Sequence, residues 1–373
     1  MNFLFTCGGT AGHINPALGV AGRLRELMPE CGILFAGARG MMETELVPRE
    51  GYEIETVTIT NLQRSLSPKG IVHNLKTVKN VFTSTGEAKK IIERFRPDAA
   101  VGTGGYVCYP VLRAAHSMGV PTLVHESNAV PGLTTKMLAG VVDCVMTGFD
   151  GAGKNYRPGT KVVFTGTPVR TQFARLDKTE AKRRLGLDHG RPLVLSVWGS
   201  LGAAHMNEVM TQLIKIAAGR ADFALVHSAG RQGYARMKER LDEQCPGWEK
   251  QGMDVREYIY DMPLVMAAAD LIICRSGAST LGELTALGRP AILVPSPNVT
   301  GNHQEKNARV LGGRGAAEVL LEGQFTAQSL YDEVCRLLGD KAALGKMSEA
   351  MLGAGERGAT EKIVSLILDC VKS

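Results

Sequence analysis

Residues Cys7–Pro16, CGGTAGHINP, follow the apolar run Phe3-Leu4-Phe5 and precede the helical pattern PALGVAGRLRELM. Glycines at positions 8, 9 and 12 permit backbone angles and close approaches that a Cβ would block. The order is strand, glycine turn, helix start. Free N–H groups and the helix dipole at such a turn favour an anion.

Working outward, short β-branched runs alternate with helical patterns, which argues for parallel α/β sheets. In the first half the strands are expected at Phe3–Thr6, Gly32–Ala36, Ile54–Val57, Ala99–Val101, Thr122–Val124, Cys144–Met146 and Val162–Phe164, with helices such as Pro16–Met28 and Val81–Arg94. In GTPVRTQF, residues 166–173, Gly and Pro interrupt both patterns and mark a crossing between domains. The second half restarts the design at RPLVLSVWGSLGAAHMNEVM, residues 191–210, and continues with strands at Phe223–Val226, Val255–Tyr258, Leu271–Cys274 and Ala291–Val294. The expectation is two doubly wound domains, 1–166 and 167–354, with an amphipathic last helix near 355–373 free to pack on either. Ligands in such sheets bind beyond the carboxyl ends of the strands, so a site between the halves is expected.

Composition agrees with this reading and narrows the function. A length of 373 residues favours two cores over one, and 44% hydrophobic with 21% charged residues describes an ordinary globular protein. No apolar run approaches the 18 or so residues of a membrane span, and Phe3–Phe5 is too short for a signal peptide. The eight cysteines include no C-x-x-C pair and read as reduced thiols of a cytosolic protein rather than zinc ligands. A net charge of +6 is compatible with an anionic partner without choosing its class.

Three glycine turns, GGTAGH (8–13), GTGGYVCYP (102–110) and GSLGA (199–203), follow expected strands and together point to a phosphate-bearing ligand. None carries G-K-[ST], which disfavours ATP hydrolysis, and no D-x-D occurs, so phosphates are expected to be handled without a metal or other cofactor. His13, at the mouth of the expected site, is a candidate general base; its plainer alternative is a bond within the turn. In LVHESNAVPG (123–132), His125, Glu126 and Asn128 follow a strand, and a carboxylate there can orient or deprotonate a hydroxyl. In ICRSGASTLGELTALGRPAILVPSPN (273–298) a helix begins near Ser279 or Thr280 and suits a diphosphate, while Glu283 one turn on suits paired sugar hydroxyls. NHQEKNA (302–308) offers amides to read a sugar.

The series GGTAGHINPA, GTGGYVCYPV, HESNAVPG, GTPVR, GSLGA, CRSGASTLGEL and NHQEKNA resembles the ordered motifs of the MurG family of glycosyltransferases, from residue 8 to about 308. The resemblance implies a GT-B fold and an inverting transfer of N-acetylglucosamine from UDP-GlcNAc to the 4-hydroxyl of an undecaprenyl-diphospho-N-acetylmuramoyl pentapeptide, with the product used for peptidoglycan. It implies a catalytic base at His13, with Glu126 the other candidate. It places Thr10, Gly12, Asn128, Arg170, Ser200, Asn207, Ile259, Thr280, Glu283 and Gln304 at the donor, Ile259 through its backbone to uracil. Gly9, Thr10, Gly104, Gly105 and Tyr106 would form loops for the acceptor diphosphate. Two positions depart from the family pattern: Ala11 stands where glycine is usual and Ser127 where glutamine is common.

A lipid-anchored acceptor implies docking on the cytoplasmic face of the cell membrane, without nucleic acid and alongside other wall-building proteins. SPKGIVHNLKTVKNVF (67–82) places Ile71, Leu75, Val78 and Phe82 on one helical face near Lys69, Lys76 and Lys79, as an interfacial helix on anionic lipid would require. The same periodicity also fits a face buried in the domain. The alternatives are a related GT-B lipid glycosyltransferase, a sugar-nucleotide epimerase, or a non-catalytic nucleotide-sugar sensor that does not use His13.

Overall fold

The computed structural model describes residues 1–59, 83–174, 176–187, 190–199, 202–220 and 222–372. The membrane-contact candidates Ile71, Leu75, Val78, Lys79 and Phe82 lie outside the described residues, as does Ser200 of the donor set. The chain divides into two compact units, Met1–Thr171 with Glu356–Ser373, and Gln172–Gly355.

The first unit is built on a parallel seven-stranded sheet in the order β3-β2-β1-β4-β5-β6-β7. Its strands are β1 (Asn2–Thr6), β2 (Gly32–Ala38), β3 (Glu53–Val57), β4 (Ala99–Gly102), β5 (Thr122–Glu126), β6 (Cys144–Thr147) and β7 (Val162–Phe164). Central β1 is apolar on both faces, as a parallel strand covered on both sides must be. Phe5 pairs in register with Phe35 on one side and Val101 on the other, and the Phe5 and Phe35 rings stack at 5.4 Å. Because side chains alternate along a strand, Phe3 and Phe5 pack with Ile14, Ala17, Val20 and Leu24 of the helix Ala11–Leu27. Leu4 packs instead with Val111, Leu112 and Ala115 of the helix Cys108–Ser117. The C-terminal helix Ala359–Lys372 joins the Phe3 and Phe5 side through Ile363, Val364 and Ile367. Its start is tied by the Thr360 hydroxyl, which donates to the Val169 carbonyl at 3.0 Å.

The helix after the first glycine loop starts at Ala11, not at Pro16 as the sequence suggests. Proline lacks an N–H, but its fixed φ is helical. The backbone N–H groups of His13 and Ile14 donate to the Thr10 carbonyl and close a first turn ahead of Pro16. His13 therefore lies on the helix itself.

The second unit holds a parallel six-stranded sheet in the order β10-β9-β8-β11-β12-β13. The strands are β8 (Leu193–Val197), β9 (Ala224–Ser228), β10 (Met253–Arg256), β11 (Leu271–Cys274), β12 (Ala291–Leu293) and β13 (Ala317–Val319). Strand β10 ends before Glu257, so the Val255–Tyr258 expectation is shifted toward the C terminus; Tyr258 and Tyr260 are exposed in the following loop. Strand β13 was not expected, because three residues after a glycine turn carry almost no periodic signal. Asp270 anchors the start of central β8 by accepting from the Leu193 N–H at 2.7 Å and pairing with Lys178 and Lys182. All eight cysteines are unpaired, with Cys7, Cys108, Cys144 and Cys274 buried. Among the described residues no helix is long and apolar enough to cross a membrane.

His227 on β9 is fully buried; its Nδ1 meets the Ser196 hydroxyl at 3.0 Å and its Nε2 has no partner. Burial pushes its pKa down from 6.5 to about 3, so the folded unit holds a neutral ring. Between pH 6.5 and about 3 the unfolded chain binds a proton at this position that the folded chain refuses. Stability is therefore full above pH 6.5 and is lost as pH falls, by about 1.4 kcal/mol per pH unit. Calorimetric melting from pH 7 to 5 should show this loss, and His227→Gln should flatten it. In the first unit, Ile367→Ala should remove about 2–4 kcal/mol, read as a lower melting transition of that unit and faster amide exchange along the C-terminal helix.

Candidate active site

In the first unit the sheet order reverses between β1 and β4, the place where open α/β sheets leave a crevice at their carboxyl ends. The loops that follow these two strands, residues 7–10 and 103–107, are locked together there. The Gly8 N–H donates to the Gly104 carbonyl at 3.1 Å, and the Thr103 N–H donates to the Thr6 carbonyl at 3.1 Å. The Thr103 hydroxyl reaches the His13 carbonyl at 2.7 Å. Gly104 and Gly105 hold φ of +120° and +91°; a Cβ at Gly104 would collide with the His13 ring, and one at Gly105 with the Gly8 carbonyl. Glycine is required at both positions for angle and for space. Gly9 and Thr10 are exposed, while Gly12 and Tyr106 are partly buried.

His13 keeps some exposure as a residue, but its imidazole is packed against Gly104. Burial lowers its pKa below the ordinary 6.5, opposed by the Glu126 charge, a hydrogen bond with the Thr103 backbone, and the Glu43 charge. The ring is thus neutral at pH 7 and able to accept a proton.

Glu126 ends β5 and is nearly buried. Its Oε1 accepts from the Asn128 N–H at 3.0 Å and the Asn128 side-chain amide at 2.9 Å, and its Oε2 accepts from the Gly132 N–H at 2.9 Å. Both oxygens take part in organising the 126–132 loop, and the carboxylate charge also bears on His13. His125 is buried; Nε2 meets the Gly166 carbonyl at 2.9 Å and Nδ1 meets the Ser127 hydroxyl at 3.1 Å. Its pKa is lowered by burial. Ser127 thereby completes a buried histidine, which gives this departure from the family pattern a structural use. Arg170 belongs to the first unit, where its guanidinium lies 3.6 Å from Glu50 with both side chains largely exposed.

Glu43, within METELV (42–47), was not singled out by the sequence. In the fold it is fully buried, and its carboxylate accepts from the Gly9 N–H at 3.0 Å and the Ala38 N–H at 2.8 Å. The Gly9 N–H is therefore already bonded within the protein, as is that of Gly8.

In the second unit the reversal lies between β8 and β11. After β8, Gly199 and Gly202 hold φ of +88° and +75°. Asn207 follows on the helix Ala204–Ala217, its amide donating to the Ala229 carbonyl at 2.8 Å while its buried Oδ1 is unpartnered. Ile259 is buried just beyond β10, between exposed Tyr258 and Tyr260. After β11 the helix Ala278–Leu287 starts without any side-chain cap, so the first-turn N–H groups beside Ser279 and Thr280 point outward, with Glu283 in the next turn. The buried Ser276 hydroxyl, another residue not singled out, donates to the Gln304 carbonyl at 2.8 Å. The Gln304 side-chain oxygen accepts from the Ser296 N–H at 2.9 Å. Ser276, just ahead of that helix, thus ties Gln304 to the end of β11, while Thr280 and Glu283 lie on the helix itself; Asn207 is anchored at the end of β9 and Ile259 lies beyond β10. Among the described residues no three His, Cys, Asp or Glu side chains cluster as metal ligands would.

The chain matches the glycosyltransferase family 28 N-terminal domain over residues 3–147 and the glycosyltransferase family 28 C-terminal domain over residues 193–363. It is 42% identical to the UDP-N-acetylglucosamine--N-acetylmuramyl-(pentapeptide) pyrophosphoryl-undecaprenol N-acetylglucosamine transferase of Acetivibrio thermocellus, over 100% of this chain and 99% of that protein. The like-named protein of Caldanaerobacter subterraneus is 41% identical over 98% of this chain and 99% of its own length. Among solved structures, Acinetobacter baumannii MurG superposes with a TM-score of 0.77 at 26% identity, covering 99% of each chain. Two glycine-looped parallel sheets and full-length kinship at this level mean that the chain belongs to the MurG family of N-acetylglucosaminyltransferases, within glycosyltransferase family 28 and with the GT-B type of fold.

Proposed function

We propose that this hexosyltransferase uses His13 to deprotonate the acceptor hydroxyl while its second unit binds and releases the nucleotide of the donor. The reaction is transfer of N-acetylglucosamine from UDP-GlcNAc to the 4-hydroxyl of N-acetylmuramoyl pentapeptide on undecaprenyl diphosphate. The observation that carries the assignment is an imidazole held neutral at the β1–β4 reversal, on a helix start locked by Gly104 and Thr103. As His13 takes the proton, the acceptor oxygen attacks the anomeric carbon from the face opposite UDP. The C–O bond to the diphosphate breaks, and the configuration inverts. Negative charge grows on the departing diphosphate, and the uncapped first turn at Ser279 and Thr280 is suited to stabilise it. Glu283 is suited to the ribose hydroxyls, and Gln304, held by Ser296 and Ser276, to the sugar. Asn128, fixed by Glu126, is suited to hydrogen-bond a sugar hydroxyl.

This reading supplies diphosphate stabilisation from backbone dipoles, and no metal or other cofactor is assigned a role in it. It also places the enzyme peripherally on the cytoplasmic face of the membrane that carries the acceptor, beside other wall-building proteins.

His13→Ala should lower kcat by about 10²–10⁴-fold while UDP-GlcNAc binding, measured by calorimetry, is retained. Full turnover in the variant would overturn the base assignment. In the wild-type enzyme kcat/KM should fall on the acid side with a midpoint below 6.5, since protonated His13 cannot accept the proton. Glu283→Ala should instead raise KM for UDP-GlcNAc, with a ΔΔG of about 1–3 kcal/mol from the lost charged hydrogen bonds. Transfer to a short-chain lipid acceptor should persist in EDTA.

A further inference from the structure

We propose that Glu43 is a positioning residue for the transfer, a buried carboxylate that fixes the Cys7–Thr10 loop and acts on His13 through it. The inference rests on the assignment of His13 as the base. Glu43 starts the helix Glu43–Arg49 and has no exposed surface. An isolated buried carboxylate is costly, so its partners show what it is kept for. They are two backbone N–H groups far apart in sequence: Gly9, in the exposed turn after β1, and Ala38, the last residue of β2. The fit around it is close. A Cβ at Gly8 would lie 2.5 Å from Glu43 Oε1, and one at Gly37 would lie 2.6 Å from its Cγ. Both glycines leave room for this side chain.

Its consequence for the site is geometric first. Gly9 precedes the helix start by one residue, Thr10, whose carbonyl receives the His13 and Ile14 N–H groups. A carboxylate that pins Gly9 therefore fixes the turn on which His13 is mounted. It is also electrostatic. Two carboxylates act on the imidazole, Glu126 from the end of β5 and Glu43 from the helix after β2. The neighbouring thiols are protonated at neutral pH: burial raises Cys7 well above its ordinary value and Cys108 to about 12. Glu126 and Glu43 are thus the charges opposing the burial that keeps His13 a weak base. Glu126 bonds Asn128 and Gly132 within its own loop, whereas Glu43 joins the turn after β1 to the end of β2.

The test compares full-length wild type, Glu43→Gln and Glu43→Asp, with ring-labelled histidine and the His13 signal identified by its loss in His13→Gln. A glutamine offers one acceptor oxygen where the carboxylate offers two, and no charge. In Glu43→Gln the Gly9 amide should exchange about tenfold faster or more, His13 should titrate at lower pH than in wild type, and the acid limb of kcat/KM should move the same way. Glu43→Asp keeps the charge, so its His13 titration should stay closer to wild type while kcat falls and KM for UDP-GlcNAc holds. An unmoved His13 titration in a folded Glu43→Gln enzyme, judged by unchanged protection of the Phe5 and Val101 amides, would overturn the proposal. A moved titration with an unmoved kinetic limb would leave the hold of Glu43 on His13 standing and overturn the base assignment instead. Should Glu43→Gln fail to fold, Gly37→Ala displaces the side chain without removing its charge. It must then loosen the Gly9 amide, and an unchanged exchange rate there would overturn the proposal.

Discussion

No Cβ fits between the backbone of Gly8 and that of Gly105. A side chain at Gly105 would drive into the Gly8 carbonyl, and the Gly8 N–H is bonded to the Gly104 carbonyl. This one contact joins the loop after β1 to the loop after β4, the two strands between which the chain reverses direction across the sheet. Everything proposed for His13 depends on it, because the imidazole packs against Gly104 and its own carbonyl is held by Thr103. Backbone contacts of this kind hold a catalytic group more tightly than long side chains do, since little rotamer freedom remains to be lost.

The second constraint is electrical. Three histidines, His13, His125 and His227, have pKa values lowered by burial, yet they serve different ends. His125 and His227 bond within the sheets, to Gly166 and Ser127 and to Ser196. His13 alone of the three stands on a helix start at a sheet reversal. The same division separates the carboxylates. Glu126 and Glu43 are both buried and accept from backbone N–H groups, so each shapes a loop and biases a neighbouring charge. In the second unit the site proposed for the diphosphate is backbone, the uncapped helix start at Ala278. Such a site costs no reorganisation when charge develops on a leaving group.

Much of the fold was legible because parallel strands buried on both faces are written as continuous apolar runs, as in Phe3-Leu4-Phe5 and Leu271-Ile272-Ile273. Misreadings arose where local pattern and tertiary packing part. Tyr258 looks like the end of a strand, but the β10 ladder closes at Arg256, leaving Tyr258 and Tyr260 edge-to-face at 4.9 Å in the loop. Pro16 looks like a helix start, but the turn closed by Thr10 comes before it. Strand β13 is three residues long and exists because β12 offers it a partner.

The sequence by itself determined the two sheets, the glycine loops at their carboxyl ends and the residue types gathered there, because strand periodicity, turn glycines and helix starts are local properties of the chain. Tertiary structure alone decided what each polar group is free to do. His125 and Glu126 are neighbours in the chain with the same outward promise, yet one became a sheet-bound ring and the other a loop-bound carboxylate. Glu43, unremarked among the acids of METELV, became the buried partner of Gly9 and Ala38. Hydrogen-bond partners and desolvation are set by residues dozens of positions away, and they fix both the charge state of a side chain and its freedom to act.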